Sequence, residues 1–120
     1  DRKGFTRRSL QIGINILEAQ KCIVIFPEGG ILEVRNKLTI KSGIGMISSL
    51  SNAPILPVSI KGSDTLFNLK SLLRDKTRLS LNFGELITPK NIKSHSKGEH
   101  RKLIATMVQD SLEKLDNEYI

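Results

Sequence analysis

The stretch Cys22-Ile23-Val24-Ile25-Phe26-Pro27-Glu28-Gly29-Gly30 decides the fold of this 120-residue chain. It begins with an uninterrupted apolar run of the kind that fills a strand covered on both faces in a parallel sheet. Pro27 ends the run because its ring fixes φ and its nitrogen has no hydrogen to donate. The pattern predicts a buried strand that leads directly into a turn, with Cys22 as a thiol of the core.

Helical and strand patterns alternate along the rest of the chain. We expect helices over residues 5–20, 42–51 and 64–75 and from Ser96 onward, and two more strands over 55–60 and 79–83. The first of the helical stretches also fits the alternation of a strand. The order of the elements predicts an α/β fold, a layered sandwich in which a mostly parallel sheet is flanked by helices.

Two local signals refine these elements. Pro57 lies inside the strand expected over 55–60, which indicates a sheet edge, a bulge or a strand end. The final helix has the clearest pattern, because Ser96 and Glu99 have the spacing of a capping box. An apolar stripe follows along that helix, made of Ile104, Val108, Leu112 and Leu115.

Length and composition set the class of protein. The chain is long enough for one small domain, and its single cysteine excludes internal disulfides and a zinc cluster. No apolar run reaches the ~18 residues that a membrane-spanning helix needs. The 19 Lys and Arg residues outnumber the 12 Asp and Glu residues and give a formal net charge of +7. This excess indicates a polyanionic partner: nucleic acid, an anionic membrane or a phosphorylated small molecule.

The turn after the first strand is the leading candidate site, because open α/β sheets bind ligands at the carboxyl ends of their strands. Gly29 and Gly30 let the backbone approach a ligand and offer N–H groups to an anion, while the Glu28 carboxylate accepts hydrogen bonds from hydroxyls. The same residues also fit an ordinary turn. Lys41, at the start of the helix over 42–51, suits a phosphate or is a solvated surface lysine.

A general base is not evident. His95 and His100 are the two histidines of the chain, and neither has an Asp or Glu at a catalytic spacing. Glu99, beside His100, fits a helix cap. The stretch Gly43-Ile44-Gly45 lacks the third glycine and the preceding strand of a dinucleotide fingerprint. The residues therefore suggest ligand binding, and they call for neither a metal nor an organic cofactor.

In their order, these motifs resemble the sequence blocks of the glycerolipid acyltransferase family, of which 1-acyl-glycerol-3-phosphate (lysophosphatidate) acyltransferase is typical. Asp1-Arg2 is similar to the end of the second block, and Phe26-Pro27-Glu28-Gly29 is similar to the third. Residues 38–43, which include Lys41, are similar to the Leu-x-x-Phe-Lys-x-Gly stretch that follows. Residues 54–58, with Pro57, resemble the fourth block, so the similarity lies within residues 1–65.

The resemblance implies a fold and a reaction. The fold is an α/β sandwich of the glycerol-3-phosphate acyltransferase type, and an acyl group passes from acyl-CoA or acyl-carrier protein to a hydroxyl of a lysophospholipid in phospholipid biosynthesis. The family's base is a histidine of the first block, oriented by an aspartate. Because this block is expected upstream of Asp1, the resemblance implies that residues 1–120 form the C-terminal part of one catalytic domain, without its His and Asp dyad.

The resemblance also implies which residues bind the acceptor. They are Arg2, Glu28, Gly29, Gly30 and Lys41, with Asp1, Phe26, Pro27 and Pro57 in supporting positions. Gly30-Ile31-Leu32 stands where the family has Thr-Arg-Ser, so the arginine credited with binding the acceptor phosphate is replaced. Arg35 or Lys37 could substitute, although a lysine does not reproduce a bidentate arginine. The acceptor is therefore a lysophospholipid or another hydroxylated lipid.

The placement of the charge bears on the partner. Lys61, Lys70 and Arg74 are among the basic residues beside the leucine face of the helix expected over 64–75. This pattern fits an anionic bilayer, and it fits equally a core-facing leucine stripe with solvated lysines. With the resemblance, it predicts a protein at the cytoplasmic face of a membrane. The alternative is a non-catalytic basic module that binds lipid or nucleic acid, and an aromatic content of 4% disfavours nucleic acid.

Overall fold

The structure is a computed structural model that describes residues 6–27, 43–61 and 79–118. Three helices and two short strands make a small α/β arrangement in these ranges. They are α1 (Arg7–Glu18), α2 (Gly43–Ser51), β1 (Val58–Lys61), β2 (Ser80–Phe83) and α3 (Lys97–Glu118), with a 3-10 turn at Pro89–Asn91 before α3. The helices predicted over 5–20 and 42–51 and from Ser96 onward are confirmed. The helix predicted over 64–75 lies outside the described residues.

Local features define the start of α1 and the end of α2. At the start of α1 the Thr6 hydroxyl accepts a hydrogen bond from the Ser9 N–H at 3.1 Å, and the Ser9 hydroxyl accepts one from the Thr6 N–H at 2.9 Å. This reciprocal pair is a capping box. At the C-terminal end of α2, Asn52 takes a left-handed φ of 58°. Asparagine tolerates that conformation, which ends a helix as a glycine would.

The core lies where α2 packs against α3. The apolar stripe predicted for the last helix is buried there together with Ile44 of α2 and Ile87. The two helix backbones approach very closely at Gly45, where a Cβ atom would overlap the backbone carbonyl of Arg101. Gly45 therefore serves helix packing, and this explains the Gly43-Ile44-Gly45 stretch without a nucleotide.

The two strands of the described residues run in opposite directions. β1 and β2 pair antiparallel, with Val58 opposite Phe83 and Lys61 opposite Ser80, and Ile55 and Ile87 add an antiparallel bridge. The mostly parallel sheet that the sequence predicts is therefore not shown by the described residues. An α/β sheet can carry an antiparallel pair, and strand–helix alternation does not encode the direction of each pairing.

The segment from Cys22 to Phe26 also differs from its prediction. Residues 21–26 form no strand in the described part of the chain, and Val24 is 86% exposed and Phe26 67% exposed. Cys22 is exposed as well, so its assignment to the core is wrong. The physical reason is that a strand exists only through ladder bonds to a neighbour, and none of the backbone hydrogen bonds found between described residues reaches 22–26.

Candidate functional site

Most of the predicted acceptor site falls outside the described residues. This holds for Asp1, Arg2, Glu28, Gly29, Gly30 and Lys41. Phe26, Pro27 and Pro57 are described, and they show the entry to the predicted turn and the start of a strand. The structure therefore describes only residues predicted to support the site, and not those predicted to bind the acceptor.

The segment over 21–27, which leads into the predicted turn, lies beside α1. Ile23 and Ile25 are half-buried, whereas Cys22, Val24 and Phe26 between and beside them are exposed. The Cδ1 atoms of Ile23 and Ile47 lie 3.6 and 3.5 Å from the position that a Cβ on Gly13 would take. Ile23 thus packs beside Gly13 of α1, where Ile47 of α2 also approaches, and the segment continues to Pro27, which is half-buried. The other side of the segment presents Val24 and Phe26 to the outside.

Pro57 lies at the start of β1, as one of its three predicted placements required. It is buried, and its carbonyl oxygen accepts a hydrogen bond from the Gly84 N–H at 2.9 Å. The backbone at Gly84 also runs close to α3, since a Cβ there would come within 2.6 Å of the Ser111 hydroxyl oxygen. The ring leaves the hydrogen bonds of β1 intact because it precedes the first strand residue, Val58.

Two polar contacts join β1 to the end of α3. The buried Ser59 hydroxyl donates a hydrogen bond to the Asp116 carboxylate, and the Lys61 ammonium group donates one to the Asp116 carbonyl at 2.9 Å. Both contacts lie on the same side of β1, because residues two apart in a strand share a face. That side of the sheet therefore faces α3.

A second polar cluster was not predicted from the sequence. The Ser49 hydroxyl lies 2.8 Å from His100 Nδ1, and His100 Nε2 lies 2.9 Å from the carbonyl oxygen of Pro89. A carbonyl can only accept, so Nε2 carries the hydrogen and Nδ1 accepts the Ser49 hydroxyl hydrogen in the neutral ring. Both ring nitrogens are used to join α2, the 3-10 turn and α3. This geometry agrees with the sequence-based view that His100 is not a general base.

The charged groups of the described part form no obvious catalytic centre. No three His, Cys, Asp or Glu side chains come together to hold a metal ion within the described ranges. The Nε atom of Arg101 is buried without a hydrogen-bond partner there, next to the close approach of α2 and α3. Arg101 therefore lies in the packing contact between α2 and α3.

The identity of the chain follows from its first half. A family model described as Acyltransferase matches residues 1–61, about half of the 120 residues. The chain belongs to the acyltransferase family. The matched range contains the four motif regions, which are Asp1-Arg2, Phe26-Pro27-Glu28-Gly29, residues 38–43 and residues 54–58. Membership of this family supports a general role in acyl transfer.

Two further comparisons give no additional relative. Neither the search of curated proteins nor the search of solved structures finds a match to this acyltransferase-family chain. Among the helices of the described ranges, none combines the length and the apolar character needed to cross a membrane. The assignment therefore rests on the family match and on the motifs inside it.

Proposed function

We propose that this acyltransferase-family chain takes part in transferring a fatty acyl group to a hydroxyl of a lysophospholipid, such as 1-acyl-glycerol-3-phosphate, in phospholipid biosynthesis. The donor is acyl-CoA or acyl-carrier protein. The observation that carries the proposal is the family match over residues 1–61, which spans the stretches that resemble the second to fourth blocks of the glycerolipid type. The type of acceptor is taken from those motifs, since the match itself gives acyl transfer in general.

The proposed acceptor site combines cations, backbone N–H groups and one carboxylate. Arg2 and Lys41 bind the acceptor phosphate, because positive side chains and a helix start both favour an anion. Gly29 and Gly30 present backbone N–H groups, and Glu28 accepts a hydrogen bond from an acceptor hydroxyl. Asp1, Phe26, Pro27 and Pro57 support these positions, and Ile23, in the segment leading to Pro27, lies beside Gly13 of α1.

The proposed base lies in a block upstream of Asp1, and residues 1–120 are then the C-terminal part of one acyltransferase domain. In the reaction the base takes the proton of the acceptor hydroxyl, and the oxygen forms a bond to the thioester carbonyl. The carbon–sulfur bond breaks, and the leaving thiolate takes up the proton. His100 does not perform this step in the proposal, because both of its ring nitrogens are engaged by Ser49 and Pro89.

The proposed domain fold is a layered sandwich with a mostly parallel sheet of the glycerol-3-phosphate acyltransferase type. Residues 22–26 support it, because alternate side chains of this segment are half-buried and exposed, as they are in a strand. Their exposed side is suited to neighbouring strands from elsewhere in the domain, and so is a backbone that forms no hydrogen bond with other described residues. The antiparallel pair β1–β2 then forms one edge of the sheet.

The proposed location is the cytoplasmic face of a membrane, because the acceptor is a membrane lipid and the chain carries a net charge of +7. The chain uses no organic cofactor and binds no nucleic acid in this proposal. A non-catalytic module that binds lipid or nucleic acid is the alternative. It would bind its ligand without turnover even when the upstream block is present.

The decisive experiment compares residues 1–120 with a longer polypeptide that includes the upstream block. Both are incubated with radiolabelled acyl-CoA and 1-acyl-glycerol-3-phosphate, and the diacyl product is measured. We expect product from the longer polypeptide and none from residues 1–120. Turnover by residues 1–120 would contradict the assignment of the base, and inactivity of the longer polypeptide with every lysophospholipid and hydroxylated lipid would contradict the acceptor class.

A further inference from the structure

Arg101 has a buried donor atom that lacks a partner. Its Nε atom, in the second turn of α3, is enclosed by protein and forms no hydrogen bond. The side chain as a whole is only half-buried, so part of it remains accessible from outside. A guanidinium is always charged and carries five N–H donors, and a buried donor without an acceptor costs free energy. An acceptor that a ligand brings to the side chain would remove this cost.

The two helices that meet at Arg101 supply no carboxylate beside it. Helix residues three and four positions apart lie side by side, and for Arg101 these neighbours are Lys97, Gly98, Ile104 and Ala105. Glu99 lies two positions away, and its carboxylate accepts a hydrogen bond from the His95 N–H at 3.0 Å. The sequence of α2, over residues 43–51, contains no charged residue. Arg101 therefore adds a positive charge that neither its own helix turn nor α2 neutralises.

Arg101 also lies beside the helix that follows a motif stretch. Its Cα atom is 3.2 Å from the position that a Cβ on Gly45 would take, in the first turn of α2. That helix begins at Gly43, which is the last residue of the stretch 38–43 that resembles a family motif. A side chain from the second half of the chain is thus brought next to the end of a motif in the first half.

We propose that Arg101 binds the phosphate group of the acceptor and helps to select acceptors that carry one. The proposal rests on the proposed function, in which the acceptor is a lysophospholipid and Arg2 and Lys41 also bind its phosphate. A guanidinium binds a phosphate through two parallel hydrogen bonds, and it is less strongly hydrated than an ammonium group, which suits a half-buried position. The phosphates of acyl-CoA have the same chemistry. The closeness of Arg101 to the end of the stretch 38–43 favours the acceptor.

The first test is acyl-transfer kinetics in the longer polypeptide that includes the upstream block. The acceptors are 1-acyl-glycerol-3-phosphate and a monoacylglycerol, which lacks the phosphate. R101A should raise KM for the phosphate-bearing acceptor about tenfold or more, because charge-assisted hydrogen bonds are lost, and it should leave KM for the monoacylglycerol and for acyl-CoA unchanged. R101K should have an intermediate effect, since an ammonium group keeps the charge but not the two parallel donors.

The matched control is K102A, which removes an exposed cation of α3 next to Arg101 and should behave like the unaltered polypeptide. The same KM for the phosphate-bearing acceptor in R101A and K102A would overturn the proposal. So would a rise in KM for acyl-CoA alone, which would give Arg101 to the donor, or an equal rise for both acceptors, which would show no selection for phosphate.

A second measurement observes the unaltered side chain and needs no folded variant. The arginine residues of the longer polypeptide are isotope-labelled for NMR spectroscopy, and the Nε–H signal of Arg101 is assigned through its own backbone N–H. Glycerol 3-phosphate should shift this signal, and glycerol at the same concentration should not. Arg8, exposed on α1, is the control whose signal should stay in place. An unshifted Arg101 signal, or equal shifts for Arg101 and Arg8, would contradict phosphate binding by Arg101.

The role of Arg101 and the proposed function fail in different ways. Transfer to 1-acyl-glycerol-3-phosphate that R101A leaves unchanged would overturn the role of Arg101 alone. If the longer polypeptide transfers an acyl group to no acceptor, the proposed function is overturned, and the NMR titration with glycerol 3-phosphate still decides whether Arg101 binds a phosphate.

Discussion

The Ser49 hydroxyl lies 2.8 Å from Nδ1 of His100 and joins the last turn of α2 to the first turn of α3. The two residues are 51 positions apart in the sequence. Because His100 also donates from Nε2 to Pro89, one side chain holds three separate elements together. His100 is thus used for structure.

The first prediction concerns this tie. S49A should lower the free energy of unfolding by about 1 kcal/mol, because it leaves a half-buried Nδ1 without its donor. H100A should cost more, since it also removes the donor to the Pro89 carbonyl. Urea unfolding followed by circular dichroism measures both, with S94A at an exposed loop position as control. In the longer polypeptide the specific activity of folded H100A should stay within a factor of about 2, corresponding to less than 0.5 kcal/mol. A loss of several orders of magnitude would identify His100 as part of the chemistry.

A second prediction uses two glycines as a matched pair. G45A should destabilise the chain by about 2 kcal/mol or more, because its Cβ would overlap the Arg101 carbonyl and force the α2 and α3 backbones apart. G98A, in the first turn of α3 with open space around the Cβ position, should raise the free energy of unfolding by about 0.5 kcal/mol. Thermal unfolding of both variants measures the difference. Similar effects of the two substitutions would contradict the close helix approach.

A third prediction tests the contact between β1 and α3. S59A should cost about 1 kcal/mol, because the buried hydroxyl loses its bond to the Asp116 carboxylate. D116N should cost less, since its amide oxygen still accepts from Ser59. The control is S80A, an exposed position of β2 that forms no such contact. If D116N is as destabilising as S59A, the negative charge matters more than the hydrogen bond.

The helices could be predicted because their signals are local. The Ser96–Glu99 spacing and the apolar stripe from Ile104 to Leu115 mark α3, and Asn52 marks the end of α2. Each of these signals acts within a few residues of the element that it defines. The buried stripe of α3 is accordingly the part of the core that the sequence predicted correctly.

The strands over 55–60 and 79–83 were placed close to β1 and β2. The pairing of strands and the new polar cluster depend on residues far apart, and these were not predicted. The apolar run from Cys22 to Phe26 has strand composition, but composition does not supply the neighbouring strand that its backbone needs. The direction of β1 against β2 is set by the path of the chain between them. The contact between Ser49 and His100 leaves no periodic pattern in either helix. Of the predicted acceptor site, the described residues place only Phe26, Pro27 and Pro57.

The last prediction tests the proposed acceptor site in the longer polypeptide. E28Q should lower kcat/KM about a hundredfold or more, corresponding to about 3 kcal/mol of lost transition-state stabilisation, because an amide replaces a charged hydrogen-bond acceptor. R2A should raise KM for a phosphate-bearing acceptor more than for one without phosphate. The controls are E33Q and K3A, which remove a carboxylate and a cation at positions outside the motif regions. Kinetics with acyl-CoA and the two acceptors measure these effects. If E33Q impairs transfer as much as E28Q, the carboxylate of the Phe26-Pro27-Glu28-Gly29 motif has no special part in binding the acceptor. A selective loss in E28Q and R2A would assign the hydroxyl and the phosphate of the acceptor to two different ends of the same site.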